Sequence, residues 1–208
     1  MSAQTSAPPQ GDTRAAEAAV DARPFETEVV WQRVTPALVE ELVAFWAAHV
    51  AGADPARARL RAGNAVCVGR DHEGGICAVG LAVIRVLPRL RQPMYRYRQF
   101  IAPAHRGQAQ AVAFANRCRD ALEAHNAALP APEALGLVTE LRGRPLPARY
   151  AQAIDPATGS IFIGYSPRGF QLRAVYFKDA QLQPPGQPDR VHGGGGQRDP
   201  RGVGEAMA

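Results

Sequence analysis

The chain has 208 residues, of which 46% are hydrophobic and 21% are charged. This composition is that of one ordinary globular domain and excludes a chain that is disordered throughout. The formal net charge of +5 permits an anionic ligand but does not select one.

Both ends of the chain are predicted to be disordered. Residues 1–25 are rich in Ala, Pro, Gln and acidic residues, and residues 183–208 are rich in Pro, Gly, Gln and Arg. The first segment has neither the basic start nor the apolar core of a signal peptide. The longest apolar run, residues 76–84, is far short of the ~20 residues that a membrane span needs. We therefore expect a cytoplasmic protein without a membrane partner.

Three cysteines, Cys67, Cys77 and Cys118, stand singly inside apolar segments. A zinc site or a disulfide framework needs cysteines at close, paired spacing, so neither is predicted. We expect buried, reduced thiols and no bound metal.

The first part of the domain is predicted to contain one strand and two helices. Residues 28–34 alternate loosely and contain three valines and a tryptophan, which indicates a strand. A Thr-Pro pair at 35–36 starts a helix whose apolar residues keep helical spacing as far as His49. An Asp-Pro pair at 54–55 starts a short second helix, which Gly63 ends.

Three strands are predicted next, before the main helix. Residues 65–70 and 76–87 are β-rich runs joined by Asp-His-Glu-Gly-Gly, a sequence suited to a hairpin loop. After a loop bounded by prolines, residues 94–101 form the third of these strands.

A strand, a helix and a further strand follow one another over residues 94–141. Residues 108–125 place apolar side chains on one helical face. Residues 135–141 are a short apolar run typical of a buried parallel strand, so the unit is predicted to be a β-α-β crossover. The remaining predicted elements are a short helix at 146–154 and two strands at 160–165 and 170–177, joined by a Ser-Pro-Arg-Gly turn.

This order of elements is that of the GNAT acetyltransferase fold. The sequence FIAPAHRGQAQA at residues 100–111 resembles the acetyl-CoA motif of that family. The motif has Arg or Gln first, Gly fourth and Gly or Ala sixth, which here map onto Arg106, Ala109 and Ala111. The resemblance predicts, over residues 26–182, an α/β domain with a GNAT-like acyl-CoA N-acyltransferase fold and a mixed central sheet flanked by helices.

The resemblance implies an acetyl-CoA site at the start of the main helix. Backbone N–H groups at a helix N-terminus face the pyrophosphate, and the helix dipole adds favourable positive potential. Ala109 stands where the family usually has Gly, so its methyl group lies close to the expected phosphate. The backbone groups of Ile101 and Ala102 are expected to pair with the pantetheine arm, and one such amide to polarise the thioester carbonyl. The predicted loop residues are Arg106, Gly107, Gln108, Ala109, Gln110 and Ala111.

Acetyl transfer to an amine needs a base that removes the proton of the amine. The family often uses a carboxylate on the fourth or fifth strand, and in this sequence Glu140 is the matching residue. An alternative is that Glu140 is a solvated residue at a strand end, paired with Arg142.

The leaving thiolate needs an acid, for which Tyr165 is the candidate. In the family, the acid is a tyrosine that is followed, after three intervening residues, by Gly and Phe. Tyr165 has this spacing. However, Thr158 replaces the Asn that usually stands seven residues earlier, and the residues between them favour a strand over a helix. The alternative is that Tyr165 is a hairpin residue and Tyr150 is the acid.

Two arginines on the fourth strand raise a question about the acceptor. Alternation places Tyr95 and Tyr97 on one face of this strand and Arg96 and Arg98 on the other. The arginines either line an acceptor pocket for an acidic substrate or extend to the sheet edge, and both alternatives stay open.

The leading hypothesis from the sequence is an N-acetyltransferase with acetyl-CoA as co-substrate and a small-molecule or protein amine as acceptor. The alternative is a non-catalytic GNAT-like binding or regulatory protein that has lost this chemistry. A nucleic-acid partner is not expected, because basic runs interleaved with aromatic residues are confined to residues 95–98. The sequence leaves the oligomeric state open, a homodimer included.

Overall fold

The structure is a computed structural model that describes residues 23–88, 90–142 and 148–182, without the side chains of residues 108, 148 and 149. The predicted disordered tail at 183–208 lies outside these residues, as does most of the predicted disordered segment at 1–25. The first two residues of the helix predicted at 146–154 also lie outside them.

Seven strands and three α-helices make up the described residues. The strands are β1 (Glu26–Val29), β2 (Ala65–Arg70), β3 (Ile76–Leu87), β4 (Gln92–Ile101), β5 (Gly136–Leu141), β6 (Ile161–Tyr165) and β7 (Gln171–Tyr176). The helices are α1 (Pro36–His49), α2 (Pro55–Ala62) and α3 (Gln108–Ala128), with 3₁₀ turns at Pro103–His105 and Ala148–Ala151. In the part of the chain that is described, no helix is long and apolar enough to cross a membrane.

Local sequence determines where the first two helices begin. The side chain of Thr35 accepts a hydrogen bond from the Leu38 amide at 3.2 Å, and that of Asp54 accepts one from the Ala56 amide at 3.0 Å. These bonds satisfy amide groups that a helix leaves free at its start.

Two predicted elements differ from the structure. The first strand, predicted at 28–34, ends at Val29, because the chain turns at Trp31 and Gln32, where φ of Gln32 is 58°. In the described part of the helix predicted at 146–154, the chain forms only the 3₁₀ turn Ala148–Ala151.

The strands form one mixed sheet in the order β1-β2-β3-β4-β5-β7-β6. Among the described strands, β4 and β5 make the parallel pair, and the other neighbours are antiparallel. The helix α3 connects β4 to β5, which confirms the predicted β-α-β crossover.

Helices cover the two faces of the sheet. On one face, called the α3 face, Phe114 and Cys118 of α3 are buried against Tyr95 of β4. On the other, called the α1/α2 face, Leu42 of α1 is buried in a cluster with Val79 of β3. The predicted α/β GNAT-like fold, with a mixed sheet between helices, is the fold observed.

A gap opens between β4 and β5. Their parallel ladder starts with the pair Tyr95 and Leu137 and ends with the pair Tyr97 and Thr139. Beyond that point β4 keeps its pairing with β3 as far as Ile101. The later residues of β4 therefore lie at an open edge in the middle of the sheet.

The segment between β5 and β6 is attached to the sheet by a buried arginine. Arg173 of β7 is 2% exposed, and its guanidinium donates to the carbonyl oxygens of Gln152 and Ala153 at 2.8 and 3.1 Å. It also donates to the Ser160 hydroxyl at 3.3 Å. An irregular segment is thus fixed through its backbone, without regular helical packing.

Gly80 allows α3 to pack closely on β3, and this gives a first prediction. A Cβ atom at Gly80 would lie 2.6 Å from Sγ of Cys118 and 3.1 Å from the hydroxyl of Tyr97. We expect Gly80→Ala to lower the free energy of unfolding by about 1–3 kcal/mol, measured by urea denaturation. Gly63→Ala is the matched control, because a Cβ there meets no described atom within 4 Å. Equal losses in both variants would contradict this account.

Candidate active site

The N-terminus of α3 is open beside the end of β4. Gly107 is the N-cap residue, and no described side chain makes a capping hydrogen bond there. The amide of Ala111 makes the first helical hydrogen bond, donating to the carbonyl of Gly107 at 2.9 Å. The amides of Gln108, Ala109 and Gln110 precede that bond, so they lie at the positive end of the helix dipole.

Arg106 connects this loop to the end of β4. Its Nε donates to the carbonyl oxygen of Ile101 at 2.9 Å, and its guanidinium lies 5.6 Å from the centre of the Phe100 ring. The residue is exposed overall. Arg106 thus contributes a cation next to the open helix end while it holds the loop against the strand.

The chain before β1 packs against the other side of the loop. The carbonyl of Arg23 lies 3.0 Å from Nδ1 of His105, and it accepts a hydrogen bond from the side-chain amide of Gln110, also at 3.0 Å. His105 is 6% exposed. These contacts attach the loop to the chain before β1 and keep the His105 ring buried.

The backbone of β4 determines which groups face the gap. The amide of Ala102 donates to the Cys77 carbonyl of β3 at 2.8 Å, and the Ala102 carbonyl accepts from the His105 amide at 2.9 Å. Both backbone groups of Ala102 are therefore engaged within the protein, which corrects the expectation that they pair with a ligand. Since backbone groups alternate in direction along a strand, those of Gln99 and Ile101 turn toward β5 and the gap, where the Ile101 carbonyl already accepts the bond from Arg106.

Glu140 lies among four arginines on the α1/α2 face. Its side chain is 3% exposed, whereas those of the arginines are 40–55% exposed. The atom Oε2 lies 2.7 Å from a guanidinium nitrogen of Arg142, 2.7 Å from Arg168, 3.2 Å from Arg96 and 4.0 Å from Arg98. We call these five residues the Glu140 cluster.

The surroundings of Glu140 keep it ionised. Burial by itself raises the pKa of the carboxyl, but hydrogen bonds from Arg142, Ser166 and Arg168 outweigh it and lower the pKa from 4.5 to about 2. A carboxylate with this pKa has little affinity for a proton at neutral pH. The pairing with Arg142, expected in the alternative from the sequence, is present at 2.7 Å, but Glu140 is buried and not solvated as that alternative had it.

Tyr165 lies on a strand and not on a helix. It ends β6, pairs with Gln171 of β7 and is 53% exposed, with its ring 5.1 Å from that of Phe162. The spacing to Gly169 and Phe170 is that of a hairpin turn, in which the amide of Ser166 donates to the Phe170 carbonyl at 2.8 Å. The hairpin position of Tyr165 is therefore confirmed, while the role of Tyr165 or of Tyr150 as acid stays a prediction.

Tyr150, the other acid considered, is in the 3₁₀ turn after β5. The guanidinium of Arg173 lies 5.3 Å from the centre of its ring. The tyrosine is thus part of the contacts that fix this segment to β7.

Solved structures of GNAT-family acetyltransferases resemble this one. An acetyltransferase of the GNAT family from Streptococcus pneumoniae matches 74% of this chain and 100% of its own, with a TM-score of 0.52 and 12% sequence identity. The chain has the GNAT fold. A GNAT-family acetyltransferase from Listeria monocytogenes matches 74% of this chain and 95% of its own, with a TM-score of 0.47 and 13% identity. No family model and no curated protein sequence matches the chain.

Arg168 and Ser166 belong to the candidate site, although the sequence around them indicates only a turn. Arg168 reaches Glu140 across 28 positions of sequence. No local pattern signals such a contact, because it depends on how β5, β6 and β7 pair in the sheet.

The lowered pKa of Glu140 gives a second prediction, on stability. Since the folded-state pKa of about 2 lies below the ordinary 4.5, the stabilisation is complete above about pH 4.5 and is lost as the pH falls toward 2. Glu140→Gln should lower the free energy of unfolding at pH 7 by about 1.5–3 kcal/mol and flatten its decline below pH 4.5.

The matched control is Glu40→Gln, which removes an exposed carboxylate paired with Arg59 at 2.9 Å. Its cost should stay below about 1 kcal/mol. Chemical denaturation at several pH values measures both variants, and equal effects would contradict the assignment.

Proposed function

We propose that the protein is an acetyl-CoA-dependent N-acetyltransferase that transfers an acetyl group to an amine of a small molecule or a protein. The observation that carries the proposal is the open N-terminus of α3, which lies beside the gap between β4 and β5. The GNAT fold supports it, because the Streptococcus pneumoniae protein that shares the fold is an acetyltransferase.

The end of the helix fits a pyrophosphate. Gln108 and Ala109 offer two consecutive amides ahead of the first helical hydrogen bond, and the helix dipole adds positive potential. Ala109 is exposed, so its methyl group lies at the surface, at a position where glycine would let a phosphate approach the amides more closely. Arg106 adds a full positive charge next to these amides.

The gap fits the extended arm of the same molecule. Acetyl-CoA, when bound, supplies the acetyl group as a reactive thioester. The backbone of Gln99 and Ile101 forms an exposed strand edge. The pantetheine arm pairs with this edge in the way that β5 pairs with the earlier part of β4. An N–H group of this edge donates to the thioester carbonyl and stabilises the negative charge that develops on its oxygen.

The chemistry in this proposal depends on positioning more than on proton transfer by Glu140. With a pKa of about 2, Glu140 holds the surrounding arginines and does not take the proton of the amine. Tyr165 receives no role as acid, because it is half exposed on β6, which β7 separates from β5. Alignment of the amine with the thioester then supplies the rate acceleration. The amine nitrogen bonds to the thioester carbon as the carbon–sulfur bond breaks, the nitrogen loses its proton to water, and the thiolate takes a proton from water to leave as the thiol.

A second candidate function is a non-catalytic GNAT-fold protein that binds a ligand. It is favoured by the methyl group of Ala109 at the phosphate position and by the low pKa of Glu140. Incubation with acetyl-CoA and a mixture of amines separates the two functions: an enzyme releases the free thiol of CoA, whereas a binding protein leaves the thioester intact.

The third prediction concerns the helix end. Ala109→Glu places a carboxylate where the pyrophosphate would bind, yet an acidic residue at a helix N-terminus stabilises the fold. We expect at least tenfold weaker binding of acetyl-CoA, about 1.4 kcal/mol, by isothermal titration calorimetry. Ala124→Glu, an exposed position near the other end of α3, should leave the affinity unchanged. Equal affinity of the Ala109 variant and the unchanged protein would contradict the proposal.

The fourth prediction concerns the methyl group of Ala109. If this methyl group crowds the phosphate, Ala109→Gly should tighten the binding of acetyl-CoA, because glycine lets the backbone approach more closely. Thermal-shift titration measures the affinity, since a ligand that binds the native state raises the melting temperature as the ligand concentration increases. An unchanged shift would show that the methyl group does not restrict the site.

A further inference from the structure

The Glu140 cluster carries more positive charge than Glu140 neutralises. One carboxylate lies among the guanidinium groups of Arg96, Arg98, Arg142 and Arg168. These five residues together carry a net charge of +3, four positive charges less one. Burial first, and then the nearby charges of Arg142 and Arg96, lower the pKa of Arg98.

Among the described residues, these arginines have more N–H donors than their bonds to Glu140 use. A guanidinium has several N–H donors, whereas Arg96 and Arg168 each donate one hydrogen bond to Glu140 and Arg142 donates two. Their side chains are 40–55% exposed, so the groups are accessible from solvent. Guanidinium groups pair with carboxylates and phosphates through two parallel hydrogen bonds. Arg142 instead places both of its donors on the single oxygen Oε2 of Glu140.

The cluster lies where the gap between β4 and β5 begins. Arg98 and Glu140 directly follow the last pair of the parallel ladder, Tyr97 and Thr139. Both lie on the α1/α2 face, together with Phe100, whose ring is 5.6 Å from that of Phe45 in α1. A molecule bound to these arginines therefore lies next to the gap, on the face opposite α3.

We propose that the acceptor amine carries an oxyanion group, a carboxylate or a phosphate, and that the Glu140 cluster binds this group. The inference rests on the proposed function, because the proposed function places the thioester of acetyl-CoA in the gap. The oxyanion pairs with Arg98 and Arg168, and the amino group of the same molecule points toward the gap. Glu140 positions the arginines and does not touch the reacting atoms.

The test compares amines that differ in the anionic group. The pairs are glycine with glycinamide and O-phosphoethanolamine with ethanolamine, and the rate of thiol release from acetyl-CoA is measured for each. We expect kcat/KM to be about tenfold or more higher for the anionic member of at least one pair. Which pair shows it distinguishes a carboxylate from a phosphate, and higher salt should reduce the preference.

Variants locate the preference on the protein. Arg168→Gln changes an exposed turn residue, and it should reduce the rate with the anionic amine more than the rate with the neutral amine. Arg33→Gln removes the same charge near the opposite edge of the sheet, just after β1, and should change neither rate. Equal loss with both amines in Arg168→Gln would overturn the inference.

The outcomes separate this inference from the proposed function. If acetyl-CoA binds and neutral amines are acetylated as well as anionic ones, the inference is wrong and the proposed function stands. If acetyl-CoA binds and no amine is acetylated, calorimetric titration of the same pairs decides, and equal affinities within both pairs overturn the inference. If acetyl-CoA does not bind, the proposed function is wrong and the inference falls with it.

Discussion

Strands β4 and β5 run side by side from the pair Tyr95 and Leu137 to the pair Tyr97 and Thr139, and then they separate. The separation leaves the backbone of Gln99 and Ile101 facing a gap in the middle of the sheet. In a continuous sheet, these polar groups would pair with the neighbouring strand. Since α3 starts just after β4, its open N-terminus lies at the wide end of the same gap. The proposed site depends on this arrangement.

Ion pairs of Glu140 connect the strands at the narrow end of the gap. Glu140 on β5 is bonded to Arg96 on β4 and to Arg168 in the turn between β6 and β7, so one carboxylate connects three parts of the sheet. Buried ion pairs stabilise a fold only when geometry and further hydrogen bonds offset the loss of solvation. Here Arg142 and Ser166 supply those bonds, and the low pKa that results makes Glu140 a positioning residue.

Much of the fold could be predicted from the sequence because its determinants are local. Thr35 and Asp54 cap the helices that they were expected to start. The site was less predictable. The spacing that made Tyr165 a candidate acid is that of a hairpin turn, and the direction of the Ala102 amide depends on its pairing with Cys77. Arg168 meets Glu140 through strand pairings that no short motif encodes.

Hydrogen–deuterium exchange with and without acetyl-CoA tests the central claim most directly, because it reports which backbone amides a ligand protects. The account predicts slower exchange at Gln99 and Ile101, which face the gap, and at residues 108–110, which begin α3. Exchange in α1 should stay unchanged. Binding of acetyl-CoA without protection at either the gap or the helix end would contradict the account.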